Sequence, residues 1–215
     1  MKINKLIPFF LIAMAIVSCK EDKNKTETKA EEEVKTSTAE AVKFNVDTEH
    51  STITWKGSKK VGESHNGTLQ LSEGSLALEG DKLKGGSFVI DMNSIKNIDI
   101  EDAVDNKKLI GHLHSPDFFD VANHPTAKFE ITEVIEEVGM DLIKGNLTIK
   151  GITKNIQVPA TTTVADDGAT FKSMTFTIDR TEWDIKYSSG KFFDNLKDKV
   201  INDEIEFTID IKAKK

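Results

Sequence analysis

Arg180 is the only arginine in a 215-residue chain that carries 29 basic residues. Its planar fork suits a carboxylate, a bidentate anion contact or an aromatic face better than a lysine ammonium does. It stands in the run Asp179-Arg180-Thr181-Glu182-Trp183-Asp184. Two roles are open to it there. One is structural: a pair with Asp179 or Asp184, or stacking on Trp183. The other is contact with the polar headgroup of a ligand. His112 and His114 lie two apart and would share a face in an extended segment, a spacing that could suit a metal. No third ligand is specified. The chain has no Gly-x-Ser-x-Gly elbow, no His-Glu-x-x-His and no Gly-x-x-x-x-Gly-Lys-Ser/Thr loop. The expectation is therefore no catalytic residue, no metal and no required cofactor.

One nucleophile remains, the single thiol of Cys19. A lone cysteine excludes an internal disulfide framework and any multi-cysteine zinc or iron–sulfur site. It follows Lys2, Lys5 and an apolar run over residues 6–17. That run is too short to cross a bilayer core of roughly 30 Å as a helix. A charged start, a short apolar run and a small residue before a cut make a secretory signal. The end of the run, Ile16-Val17-Ser18-Cys19, resembles a bacterial lipobox. Residues 1–18 are thus expected to be a lipoprotein signal peptide and Cys19 the site of lipidation. Two or three acyl chains anchor stably where one does not. Lys20-Glu21-Asp22 looks like the signal that sends some Gram-negative lipoproteins to the cell surface. The expected location is the envelope of a Gram-negative bacterium, anchored to the outer membrane on its periplasmic face or at the cell surface.

Residues 19–43 read as the lipidated cysteine and a flexible charged linker. Val34 and Val42 are the only larger aliphatics of residues 20–43, which hold no aromatic. Such a composition buries too little apolar area to offset the entropy of ordering. As a random coil its reach would be roughly 25–30 Å. The formal charge of −7 argues against non-specific nucleic-acid binding, which needs a basic surface to release counterions.

From residue 44 the texture changes. Alternation with a period of two dominates, as in half-buried strands. Ile53 and Trp55, Leu69 and Leu71, Leu76 and Leu78, and Phe88, Ile90 and Met92 each form one face. So do Phe129 and Ile131, Leu147 and Ile149, Phe176 and Ile178, and Ile205 to Ile211 at every second residue. Ile156 and Val158 are expected to end a strand at Pro159. Eight or nine strands with short turns predict antiparallel pairing, and closure into a barrel removes exposed edges. Two segments break the rhythm, 94–120 and 190–199. Ser115-Pro116 reads as an N-cap with proline at the first helical position. Each segment holds Phe-Phe-Asp, at Phe118-Phe119-Asp120 and Phe192-Phe193-Asp194. Adjacent side chains of a strand point to opposite faces, so these pairs belong to a helix or loop. They either plug the barrel end or line the mouth of a cavity.

Three blocks resemble the YceI-like family of bacterial polyisoprenoid-binding, lipocalin-like proteins. The first is Gly111-His112-Leu113-His114-Ser115-Pro116-Asp117-Phe118-Phe119-Asp120, followed by His124-Pro125-Thr126-Ala127-Lys128-Phe129. The second runs Gly145-Asn146-Leu147-Thr148-Ile149-Lys150-Gly151-Ile152-Thr153-Lys154, and the third is Asp179-Arg180-Thr181-Glu182-Trp183. Ile110-Gly111 stands where the family often has Arg-Asp, and Asp184 where glycine often follows the aromatic. The resemblance covers residues 44–215. It implies an all-β, eight-stranded antiparallel barrel with a short helical cap and an elongated cavity for an isoprenoid chain. The candidate lining is Trp55, Phe88, Ile90, Phe118, Phe119, Phe129, Leu147, Ile149, Phe176, Ile178 and Trp183, with Arg180 at a headgroup. The expected function is non-enzymatic binding, sequestration or transport of an isoprenoid lipid, such as a quinone tail. The alternative is a surface interaction module whose barrel is packed solid and takes no lipid.

Overall fold

The computed structural model describes residues 25–35 and 40–215. The signal peptide, Cys19 and Lys20-Glu21-Asp22 lie outside the described residues. The alternating runs become ten strands: β1 (Val42–Val46), β2 (Thr52–Ser58), β3 (Ser64–Glu79), β4 (Lys82–Asn97), β5 (Thr126–Glu136), β6 (Asp141–Ile149), β7 (Ile152–Ala165), β8 (Gly168–Ser173), β9 (Phe176–Asp179) and β10 (Glu204–Lys214). One helix, α1 (Ala103–His114), links β4 to β5. Every strand pair is antiparallel, in the order β10-β2-β3-β4-β5-β6-β7-β8, and β8 returns to β10. Two staves are made of two pieces each. β1 bridges β10 and β3 at one end of the barrel, where β2 bridges them at the other. Likewise β8 pairs with one half of β10 and β9 with the other half. Ten strands thus form eight staves.

The two leucine pairs of 69–78 belong to one 16-residue strand, β3, whose pairing with β4 carries register shifts. Pro159 does not end β7, which continues to Ala165. Its missing N–H belongs to the side of β7 that faces β8, where its carbonyl accepts from Met174 N–H at 2.8 Å. The helix lies earlier than Ser115-Pro116 suggests. Asp102 caps it, its carboxylate accepting from the N–H groups of Val104 and Asp105. Ser115 closes it, donating N–H and Oγ to His112 O. Proline follows the end because it cannot continue the ladder.

Gly67, opposite Trp55 in the β2–β3 register, is required by close approach. A Cβ there would fall 2.6 Å from the Trp55 ring and 1.7 Å from Lys96 O. The indole occupies the space that a side chain at this position would need.

The linker reading is corrected for residues 25–35, which lie against the barrel. Thr26 N–H donates to Thr177 O at 2.9 Å, and Lys29 and Asn155 exchange backbone hydrogen bonds of 2.9 and 3.0 Å. Thr26 Oγ1 donates to Gln157 O at 2.9 Å. Glu32 takes both ends of the Asn146 amide, at 3.0 and 2.7 Å. Composition misled here because the segment buries no apolar side chain; its holding groups are polar and are supplied by the barrel. Six hydrogen bonds at about 1 kcal/mol net each stand against about 1–2 kcal/mol per residue for ordering a backbone. The segment is therefore held weakly.

Candidate functional site

The inward faces of the strands do not fill the barrel. They enclose a cavity of about 420 Å³, within the usual range of ligand sites. Its wall takes Trp55 from β2, Ile90 from β4, Phe129 from β5, Leu147 and Ile149 from β6, and Phe176 and Ile178 from β9. Phe118 and Phe119 follow α1 and also line it, with ring centres 5.2 Å apart. Both rings are buried, which a turn permits and a strand does not.

Two residues of the expected lining are elsewhere. Phe88 is buried outside the lining, between Phe129 and Phe171 at ring-centre distances of 6.4 and 6.1 Å. Trp183 is fully buried behind the wall, where its indole N–H donates to Leu147 O at 3.1 Å. The second Phe-Phe pair lies outside: Phe192 and Phe193 are each about half exposed.

Arg180 reaches the cavity wall, but its polar atoms serve the chain. Nε donates to Asn202 O, Nη1 to Ile185 O, and Nη2 to Ile201 O and Asp203 Oδ1, at 2.8–3.3 Å. The guanidinium carbon stands 5.6 Å from the centre of the Phe118 ring, so it stacks there and not on Trp183. Arg180 staples the long β9–β10 connection to the barrel mouth. Burial pulls its pKa below the ordinary guanidinium value, with Asp203 and Asp179 opposing. Neighbouring Asp179 is desolvated, which alone would raise its carboxyl. Hydrogen bonds from Lys191 and Thr181 hold it below its ordinary value instead.

Polar side chains gather at the mouth, where His65, Lys108, His112, Tyr187 and Asn202 join the lining. Trp55 Nε1 and His112 Nε2 are buried without a hydrogen-bond partner. The His112 ring meets Tyr187 edge-on at 4.3 Å and Phe118 at 5.8 Å. The metal reading assumed an extended segment. On α1 the two histidines point about 160° apart, and among the described residues no group of three potential ligands forms a metal site. Of the lining residues that sequence reasoning missed, His112 bears most on the chemistry of the mouth. The signal was present: Leu109, His112 and Leu113 fall at i, i+3 and i+4 of one helix face.

The family model of the YceI-like domain matches residues 44–213. The chain belongs to the YceI-like family. Among relatives, a UPF0312 protein of Azotobacter vinelandii is 33% identical over 96 residues, 44% of this chain and 47% of the relative. One from Pseudomonas aeruginosa is 47% identical over 49 residues, 23% of this chain and 26% of the relative. The chain thus spans less than half the length of each of these two relatives. The YceI-like fold is also clear in solved structures. BcnA of Burkholderia cenocepacia superposes with a TM-score of 0.63 at 22% identity, covering 78% of this chain and 99% of BcnA. A polyisoprenoid binding domain from Saccharophagus degradans gives 0.58 at 14% identity, covering 80% and 97%.

Proposed function

We propose that this YceI-like chain binds and carries an isoprenoid lipid, without catalysing a reaction on it. The observation that carries the reading is the cavity, apolar along its wall and polar only at one mouth. A prenyl tail would lie along the wall, gaining about 25 cal/mol for each Å² of apolar surface removed from water, less the cost of ordering a flexible chain. The unpartnered Trp55 indole N–H suits an acceptor such as a quinone carbonyl, and His112 stands in the same lining. In this reading the headgroup lies with Trp55 and His112 rather than with Arg180, whose polar atoms already have partners. The cavity favours a carrier over a solidly packed surface module, and the Saccharophagus degradans neighbour carries the name of a polyisoprenoid binding domain. The protein made in its native host should yield an isoprenoid on organic extraction and mass spectrometry. Extracts holding only bulk phospholipid would overturn the carrier reading.

The proposed site of action is the outer membrane, through acylated Cys19. The lipobox-like run and the single thiol support this. Cys19→Ala should move the protein from the membrane fraction to the soluble one. A variant that still sediments with membranes in high salt would remove the anchor.

A further inference from the structure

The wall of the barrel has a split. β9 pairs with β10, yet among the described residues β7 and β9 share no ladder. The split opens just beyond Met174, the last residue to reach across from the β8 side, at Pro159 O. Beyond that point Asn155 and Gln157 turn backbone groups toward the gap, and so does Thr177 from the other edge. Residues 25–29 bond to all three. Lys25 bridges Thr177 in parallel, and Lys29 bridges Asn155 in antiparallel pairing. Thr26 bonds to both edges, through its N–H to Thr177 O and its hydroxyl to Gln157 O. Lys25 Nζ lies 2.8 Å from Glu204 and 4.0 Å from Asp179. The segment is therefore a stave of the barrel supplied by the chain N-terminal to the domain.

The barrel is built to receive it. Asn146 and Asn155 are outward-facing yet buried. Asn155 Nδ2 donates to Thr132 Oγ1 and to Asn146 Oδ1, both at 3.0 Å, and the Asn146 amide grips the backbone of Glu32. A ladder of buried polar groups is costly unless something completes its hydrogen bonds. On the inner side of the same gap, Ile156 and Val158 of β7 face Phe176 and Ile178 of β9, all four in the cavity lining. With the stave gone, two strand spacings, about 9.5 Å, separate the edges. That is a slit into the cavity.

We infer that residues 25–29 are a detachable stave, and that the seam between β7 and β9 is a lateral gate through which a prenyl chain enters and leaves. The gate rests on the carrier reading; the detachable stave does not. A stave held by polar groups alone, with no apolar side chain buried, opens far more easily than the core ladders.

The test locks and frees the stave in the chain carrying Cys19→Ser, so that no third thiol interferes. Lys29 and Asn155 are directly paired, a separation that a disulfide spans. In K29C/N155C, oxidation should slow uptake of a long-chain prenyl quinone from phosphatidylethanolamine–phosphatidylglycerol vesicles at least tenfold, with reduction restoring it. Uptake is read by quenching of Trp55 and Trp183. T26P/K29P removes both backbone donors of the stave and the Thr26 hydroxyl without touching the barrel, and should speed uptake at least threefold. Equal rates for oxidised and reduced protein, or no gain with the prolines, would overturn the gate. Hydrogen exchange needs no ligand. The amides of Lys29 and Asn155 should exchange together and at least a hundredfold faster than that of Ile143 in β6. Exchange as slow as Ile143 would overturn a detachable stave. A parent that no prenyl quinone quenches would remove the carrier reading and the gate with it, while the exchange rates still decide the stave.

Discussion

Arg180→Ala is expected to destabilise the barrel by about 3–5 kcal/mol, the range for removing one partner of a buried charge pair. The side chain is only 1% exposed. Its loss leaves Asp203 with Lys191 alone, 3.6 Å away, and deprives three backbone carbonyls of a donor. It also removes the cation from the face of Phe118, beside the cavity. Arg180→Lys should recover only a small part, because one ammonium cannot reach Ile185, Ile201, Asn202 and Asp203 together. Urea midpoints measure the effect. A loss below about 1 kcal/mol, accompanied by weakened binding of a prenyl quinone, would return Arg180 to the headgroup and end the staple role.

Leu147→Phe and Ile149→Phe separate a tunnel from a packed core. In a filled interior, added side-chain volume forces strain that typically costs roughly 1–3 kcal/mol. Here both side chains border open space, so the larger ring has room. Each variant, stripped of lipid, should keep its stability to within about 1 kcal/mol. Each should also lose at least tenfold in affinity for a long-chain prenyl quinone, equivalent to about 1.4 kcal/mol. Urea midpoints and quenching of Trp55 give the two readings on one sample. Destabilisation in both variants, with binding unchanged, would mean that the wall is core and the ligand lies elsewhere.

Most of the barrel was legible because a strand's faces alternate residue by residue. Trp55, Ile90, Phe129, Leu147, Ile149, Phe176 and Ile178 could be assigned to one interior from their spacing and the family resemblance. Spacing does not say how deep a residue sits, which is why Phe88 shares the alternation of the lining yet packs outside it, between Phe129 and Phe171. Trp183 lies off the lining for another reason. It lies in the 3-10 turn that follows β9, where the two-residue rhythm no longer fixes direction. Ser115-Pro116 fits either end of a helix until the capping bonds are known, and Asp102 holds the true start. The contrast between the two Phe-Phe-Asp copies lay beyond sequence: one pair is buried, the other half exposed. Least legible was the stave. Lys25, Thr26, Lys29 and Glu32 have the composition of a solvated coil, and the groups that order them are 114 or more residues away in the chain, on Asn146, Asn155, Gln157 and Thr177.

Those same contacts set a length. With Cys19 acylated as proposed, a seated stave leaves only residues 20–24 between the membrane and the first bonded residue. Six virtual bonds, fully extended, span about 20 Å, less than the thickness of a bilayer core. The barrel would then be confined to a thin layer of solvent beside the lipid, with its seam close to that surface and a high effective concentration there. Released, the same chain is a tether long enough to let the barrel turn over and leave that layer. One short run of hydrogen bonds would thereby act as a ruler with two marks, near the lipid and away from it.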